Sequence, residues 1–582
     1  MWKCKDRIMY NIFNLDGFFL NNIEQKGFPT MNSASILPAD LVLTNGIIYT
    51  VDNRRSRASA MAVKGDTIVF VGDDKNASQW IGNNTRLIDL QGRLVLPGFI
   101  DSHNHAADGT FELYEVKLHD LNSVDEYKQA IIEFRAAHPH TQGILGGGWM
   151  NPLFPPQGPS KEILDEVAPD IPVVLGSEDY HSVWVNSKAL EIASISRDTP
   201  NPVRGIIEKD DQGNPNGTLR ESAVDLVEQV IPPYTVEQLI EGLRYFQNMA
   251  HSYGITTVHI PGIAVDLLPL KALRLLDDSG EMSLRFRGAL TVNANEDVAI
   301  VEQLIQTREQ NKGGLFEITA AKMFMDGVVE GGTAYMEQPY LTKPNFRGEP
   351  DWEPQNFNRM CAALENAGFQ IHVHSIGDAA TRVTLDGFTY ARQQNGSGDR
   401  RHMITHLHFV NPEDIQRLAN LGVVAVVQPF WFLVDCHYWQ IVDYLGQERA
   451  DRQYPMRSFF DNGVVVASSS DYNVTVPPNP LVAIETGITR KCTTEMIAEH
   501  PDYNKALNPS EAVTLEEMIA SYTINGAYAN FLEKVSGSLE VGKKADFIVL
   551  DKNIFDIPVE EIHTAQVLLT FFEGEEVYRR DA

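Results

Sequence analysis

His103 and His105 stand two residues apart in "LPGFIDSHNHAADG", and the same spacing recurs in His372 and His374 of "FQIHVHSIG" and in His406 and His408 of "HMITHLHFV". Side chains two apart on an extended strand share a face, so each pair is expected to present two imidazoles to one side. Lys322 and Asp326 stand near the end of "FEITAAKMFMDG", and Asp471 closes "GVVVASSSD". Imidazole nitrogen and carboxylate oxygen are ordinary donors to a divalent ion such as zinc. Taken singly, such a histidine is more often a hydrogen-bonded core residue, and such an acid a helix cap. Their joint recurrence at the ends of apolar runs is what points to a shared metal centre.

Positioning them requires a fold that brings many strand ends to one place. Eight apolar runs qualify as strands: the one ending at His105, "ITTVHI", "LRFRGALTV", "FEITAAKMFMDG", "FQIHVHSIG", "HMITHLHFV", "GVVAVVQP" and "GVVVASSSD". Helical stretches separate several of them, among them "NRMCAALENAG" and "NPEDIQRLANLG", whose glycines Gly368 and Gly422 read as stops. This alternation predicts an α/β chain folded as a TIM-type (β/α)8 barrel, in which chemistry gathers at the C-terminal strand ends.

Both ends of the chain are rich in short strands and turns. Asn45-Gly46 in "LVLTNGIIYTVD" predicts a hairpin, as do Lys64-Gly65-Asp66 and Glu573-Gly574-Glu575. The expected organisation is an N-terminal extension over 1–38, a small β-sandwich assembled from 39–96 and 536–582, and a barrel over 97–535. An insertion with its own strands and helices is expected at about 106–249, after the first barrel strand.

Bulk properties narrow the function. The 582 residues carry a formal net charge of −30, which leaves no cationic surplus for a nucleic-acid backbone. Four scattered cysteines form no disulfide framework, which favours a reducing compartment, and the first thirty residues hold no sustained apolar run. A cytoplasmic protein, without membrane or nucleic-acid partners and with a homodimer as the default assembly, is the expectation. Either Met1 or Met31 serves as a start.

The chain resembles the amidohydrolase superfamily, in particular its amidohydrolase-3 branch, which includes N-substituted formamide deformylases. The resemblance rests on "LPGFIDSHNH", "GGGWM", "PVVLGSEDYHSVWVNSKAL", "KMFMDG", "IHVHSIGDAA", "HFVNPEDIQRLANLGVVAVVQP", "SSSD" and "GSLEVGKKADFIVLD", and extends from about Leu41 to the C-terminus. It implies that His103, His105, His374, His406 and Asp471 are metal ligands. It also implies that Lys322 is a lysine of the kind carbamylated to N6-carboxylysine, bridging two metals. Spacing leaves His406 and His408 as equals; the resemblance selects His406. One departure stands out, since Thr405 precedes His406 where branch members often carry Glu.

A bound divalent cation, zinc first and one or two ions per chain, makes hydroxide available near neutral pH. The expected reaction is attack of that hydroxide on a small-molecule amide, N-formyl or N-acyl, at a carbon–nitrogen bond other than a peptide bond. Asp471 is the expected proton carrier and His181 of "EDYHSVW" the oxyanion stabiliser. Trp149, Tyr180 and Arg457 are expected to contact substrate. Two rivals are a deaminase of an aminated heterocycle, which generally lacks the strand-four lysine, and a non-catalytic scaffold relative, which typically loses ligands.

Overall fold

The computed structural model describes residues 37–119, 121–265 and 268–581, with Pro38–Ala582 forming one compact unit. The extension expected over 1–38 lies outside the described residues except for its last two positions, and so does the choice between Met1 and Met31. Eight parallel strands follow one another in a single sheet: β1 (Phe99–Asp101), β2 (Ile255–Ile263), β3 (Arg285–Thr291), β4 (Phe316–Phe324), β5 (Gln370–Ser375), β6 (Met403–His406), β7 (Val424–Val427) and β8 (Val465–Ser468). All eight runs expected to be strands are strands. The sheet closes where the Ser102 N–H donates to the Ser468 carbonyl at 3.2 Å. The result is the expected TIM-type barrel.

Alternation along the strands sorts the side chains. Ile371, Val373, Ile404, Val427 and Val466 join the core beneath the surrounding helices. Met403, Val424, Val426 and Ala467 meet Ala529 inside the barrel. On β5 the inward positions are Gln370, His372 and His374, which line the bore, while Ile371 and Val373 carry the helices and Ser375 meets Thr381 of the helix that follows. The helix Val236–Ser252 shows the complementary pattern: a Thr235–Gln238 capping box starts it, and Leu239, Leu243, Phe246 and Ala250 form its buried stripe. Helix Pro412–Leu421 stops at Gly422, which takes φ +68 in the left-handed region.

The N-terminal segments and the C-terminal segment meet in two further sheets. One is built from Leu41–Thr44, Ala60–Lys64, Thr67–Gly72 and Arg86–Asp89. The other joins Ile47–Tyr49, Arg57–Ala58 and Leu94–Pro97 to Phe547–Leu550, Val567–Phe572 and Glu575–Arg579. Leu43, Ile48, Met61, Val95, Phe547 and Phe571 form a core shared by both sheets. The hairpins at Gly65 and Gly574 are present. The one expected at Asn45-Gly46 is not, because its flanking strands belong to different sheets. Asn45 takes φ +54 there and ties the corner to Asp89 and Asp74, while a side chain at Gly46 would collide with Leu90. The Asn-Gly pair turns the chain from one sheet to the other.

Between β1 and β2 the chain builds a six-stranded sheet from Val116 to Glu221, with its own cores around Trp149 and Trp184 and around Leu219. The barrel is tied to the terminal sheets by an ion pair: Arg285 of β3 donates to Asp546 at 2.8 Å and to Glu573 at 2.8 Å, with Arg285 and Asp546 almost fully buried. Removing Arg285 leaves the buried Asp546 carboxylate without its cation, while Glu573 keeps Lys544 as a partner. Arg285→Met is therefore expected to cost about 3 kcal/mol, read from denaturant unfolding, whereas the exposed Arg244–Glu281 pair should contribute less than about 1 kcal/mol.

Candidate metal centre

The C-terminal ends of the strands open into a cavity of about 780 Å³ whose walls include His103, His105, Lys322, His374, His406 and Asp471. The centre begins at the barrel seam. β1 stops at Asp101, so His103 and His105 are not same-face strand neighbours as the spacing predicted; His105 leads into the short helical turn Ala106–Asp108. Convergence comes instead from the other side of the seam. Asp101 accepts from the Ser470 N–H at 3.0 Å, the Ser470 hydroxyl at 2.5 Å and the Asn104 amide at 2.9 Å. The Asp471 N–H donates to the His103 carbonyl at 2.9 Å. This clasp sets His103 Nε2 at 3.3 Å and His105 Nε2 at 3.2 Å from Asp471 Oδ1.

His406 arrives by a local backbone departure. Register places Thr405 level with His374, so simple alternation would turn His406 away from the bore. His406 takes φ +77 and Leu407 φ +50, which re-aims the imidazole inward. Gln428 Oε1 lies 3.0 Å from His406 Nδ1, while the Gln428 amide group donates to Thr405 and Ser469. The amide orientation puts the His406 proton on Nδ1 and leaves Nε2 unprotonated. Thr405 thus supports the glutamine that holds His406. Asp471 also has positive φ, +57. Donor atoms of His103, His406 and Asp471 all lie within 4.8 Å of one another.

The remaining residues divide. His374 meets the His406 ring edge-on at 4.5 Å between centroids, but its Nε2 faces the Gly327 carbonyl at 3.4 Å. Lys322 is buried in the bore, in register with His372. His408 lies outside the cluster, between Trp431 and Tyr454. His181, from the inserted sheet, hangs 5.3 Å from His374 and pairs through Nδ1 with Glu221 at 2.9 Å. Tyr180 lines the cavity and accepts from Asn473 at 2.9 Å. Trp149 does not reach it: the ring is fully buried in the core of the inserted sheet and donates to the Leu175 carbonyl. Arg457 does not reach it either, since its guanidinium pairs with Glu517 and Asp461, away from the cavity walls. Both expectations as substrate contacts are corrected. Sequence reasoning also missed Glu221 and Gln428, whose partners are 40 and 22 residues away, and which no local spacing marks.

Burial decides the charges. It pushes His103, His374 and His406 well below the usual imidazole range, with Lys322 adding to the effect and Asp471 opposing it at His406. Burial likewise lowers Lys322 to about 7, against the pull of Asp471. Asp471 stays below the ordinary carboxyl range because the His105 hydrogen bond and its positive neighbours outweigh burial. Neutral imidazoles, an ionised carboxylate and a near-neutral lysine form a donor set that fits a divalent cation. His181 is the exception: burial opposes its charge, but the Glu221 carboxylate raises it to about 9.

A barrel with histidine and aspartate donors at its C-terminal strand ends defines the class of metal-dependent hydrolases, and the comparisons agree. Residues 86–578 match the amidohydrolase family, to which the chain belongs. It is 30% identical to Protein LONG AFTER FAR-RED 3 of Arabidopsis thaliana over 96% of this chain and 95% of that one. It is 27% identical to the N-substituted formamide deformylase of Arthrobacter pascens, over 93% and 98%. Among solved structures, an uncharacterized metal-dependent hydrolase from Pyrococcus furiosus superposes with TM-score 0.67 at 25% identity, covering 88% of this chain and 99% of that one.

The His181–Glu221 pair has a measurable signature. Its contribution to stability is full below the ordinary imidazole pKa of about 6.5 and is lost as pH rises through about 9. In Glu221→Gln burial is opposed only by the weaker pull of Asp179 and Asp351, so the His181 titration, followed by NMR, should fall well below about 9. A midpoint still near 9 in that variant would remove Glu221 as the cause.

Proposed function

We propose that this chain hydrolyses a carbon–nitrogen bond other than a peptide bond in a small-molecule amide, N-formyl or N-acyl, with zinc as its metal. The observation that carries the reading is the convergence of His103 and His105 on Asp471 Oδ1 beside a near-neutral Lys322, at the floor of a cavity with room for a substituted amide. The likeness to a protein named N-substituted formamide deformylase supports the bond type.

His103, His105, His406 and Asp471 would hold the ion, with His374 beside them and Lys322, as its carbamate, supplying an anionic oxygen donor. Such an ion supplies Lewis acidity, polarising the amide carbonyl and lowering the pKa of water. Asp471, ionised and buried, takes the proton of the water that attacks the carbonyl carbon. It then passes that proton to the nitrogen as the carbon–nitrogen bond breaks, which yields a carboxylic acid and an amine. His181, kept charged by Glu221, donates a hydrogen bond to the carbonyl oxygen as negative charge develops there. Phe430, Trp431 and Leu433 line an apolar side of the cavity that shields the reacting bond from bulk water and takes an apolar substituent.

A panel of N-formyl, N-acyl and cyclic amides, run on protein reconstituted with zinc and bicarbonate, tests the reading directly. Turnover should appear on at least one class, and Asp471→Asn should lower kcat by about 10²- to 10⁴-fold. Ammonia release from aminated heterocycles, with every amide inert, would replace the amide reading by deamination. Metal analysis adds a second test. His105→Ala should lose metal while keeping the fold, and Lys322→Ala should no longer gain metal from bicarbonate. Wild-type metal content and turnover in His105→Ala would overturn the assignment of the centre.

A further inference from the structure

Below the proposed metal centre, three imidazoles run in series through the bore toward the barrel floor. His103 Nδ1 lies 2.9 Å from His372 Nε2, His372 Nδ1 lies 3.2 Å from His259 Nε2, and His259 Nδ1 lies 2.8 Å from Asn530 Oδ1. All four residues are at most 2% exposed, so water has little access to these contacts. Each imidazole comes from a different segment: His103 follows β1, His259 belongs to β2 and His372 to β5. Asn530 caps the helix Ile524–Ala529 that follows β8.

The last residue sets the direction of every hydrogen bond above it. Asn530 Nδ2 donates to the Gly526 carbonyl at 2.9 Å, so the amide oxygen is the atom that faces His259. An amide oxygen accepts and does not donate. His259 must therefore carry its proton on Nδ1 and leave Nε2 bare. That bare nitrogen can only accept, so His372 carries its proton on Nδ1 as well. The same step puts the His103 proton on Nδ1. The series ends with the His103 Nε2 lone pair directed at Asp471 Oδ1, 3.3 Å away. Two electron-rich atoms at that distance repel unless a cation lies between them. The order imposed from Asn530 is thus the order a metal ligand at His103 needs.

We propose that Asn530 is a positioning residue for the metal centre, acting through His259 and His372 to hold His103 in the Nδ1-protonated form. The inference rests on the reading of His103 as a metal ligand, and it extends the centre's support from the top of the barrel to its floor. His372, which spacing alone pairs with His374, then serves as the middle link and not as a ligand.

Neutron diffraction from deuterium-exchanged crystals of the metal-free wild-type protein reads the ring protons without relying on metal or activity. Deuterium is expected on Nδ1 of His103, His372 and His259 and absent from the Nε2 atoms of His372 and His259. Deuterium on Nε2 of His259 or His372 would overturn the proposal. Asn530→Leu removes the acceptor at similar volume, and its zinc affinity by chelator competition should fall about ten- to a hundredfold. Asn530→Asp keeps an acceptor toward His259 and should retain most of the affinity, although it loses the bond to Gly526. A folded Asn530→Leu protein with wild-type zinc affinity would overturn the proposal; if that variant does not fold, the wild-type proton positions decide it. Amide turnover that fails while the proton order and the zinc affinities behave as expected would count against the proposed reaction alone.

Discussion

The seam between the first and last barrel strands is the constraint on which the centre depends. A parallel barrel has one place where strands far apart in sequence must be joined, and here the join is polar and buried. Asp101 receives donors from Ser470 and Asn104, and the Asp471 backbone donates to His103. The same few bonds that close the barrel bring His103 and His105 against Asp471. A buried carboxylate surrounded by donors is costly to leave unpaired, so closure and assembly of the site are one event. Burial pushes the Asp101 carboxyl up to about 6, against the pull of these donors.

Desolvation then organises the chemistry. Water is excluded from the bore, and the imidazoles are held neutral and the lysine near neutrality because charge there has no solvent to stabilise it. His181 comes from outside the barrel and escapes this rule, since the inserted sheet brings Glu221 with it. A cationic hydrogen-bond donor thus faces neutral metal-type donors across one cavity, an arrangement the barrel strands do not make alone.

Much of the architecture was legible in the order of residue types. Eight apolar runs, two glycine-stopped helices and the β-rich ends were enough for the barrel and for the small sandwich, because strand and helix periodicities are local properties. The misreadings came from long-range facts. Asn45-Gly46 has the chemistry of a hairpin turn, but its flanking strands found better partners in two sheets. Trp149 and Arg457 are of residue types common in binding sites, yet one fills a core and the other meets acids elsewhere. The i, i+2 spacing marked the right stretches for a partly wrong reason: it describes β5, but β1 ends before His103, and β6 turns at His406.

The sequence by itself determined which donors are available, their placement near strand ends and the class of fold that gathers such ends. Those follow from composition and period, which are written in the chain. Tertiary structure decided which donors meet and in what state. The Asp101 clasp, the positive φ values at His406 and Asp471, the Gln428 and Asn530 amides and the Glu221 pair all join residues distant in sequence. Neutrality of the imidazoles and the lowered pKa of Lys322 depend on the exclusion of water, which exists only once the barrel has closed.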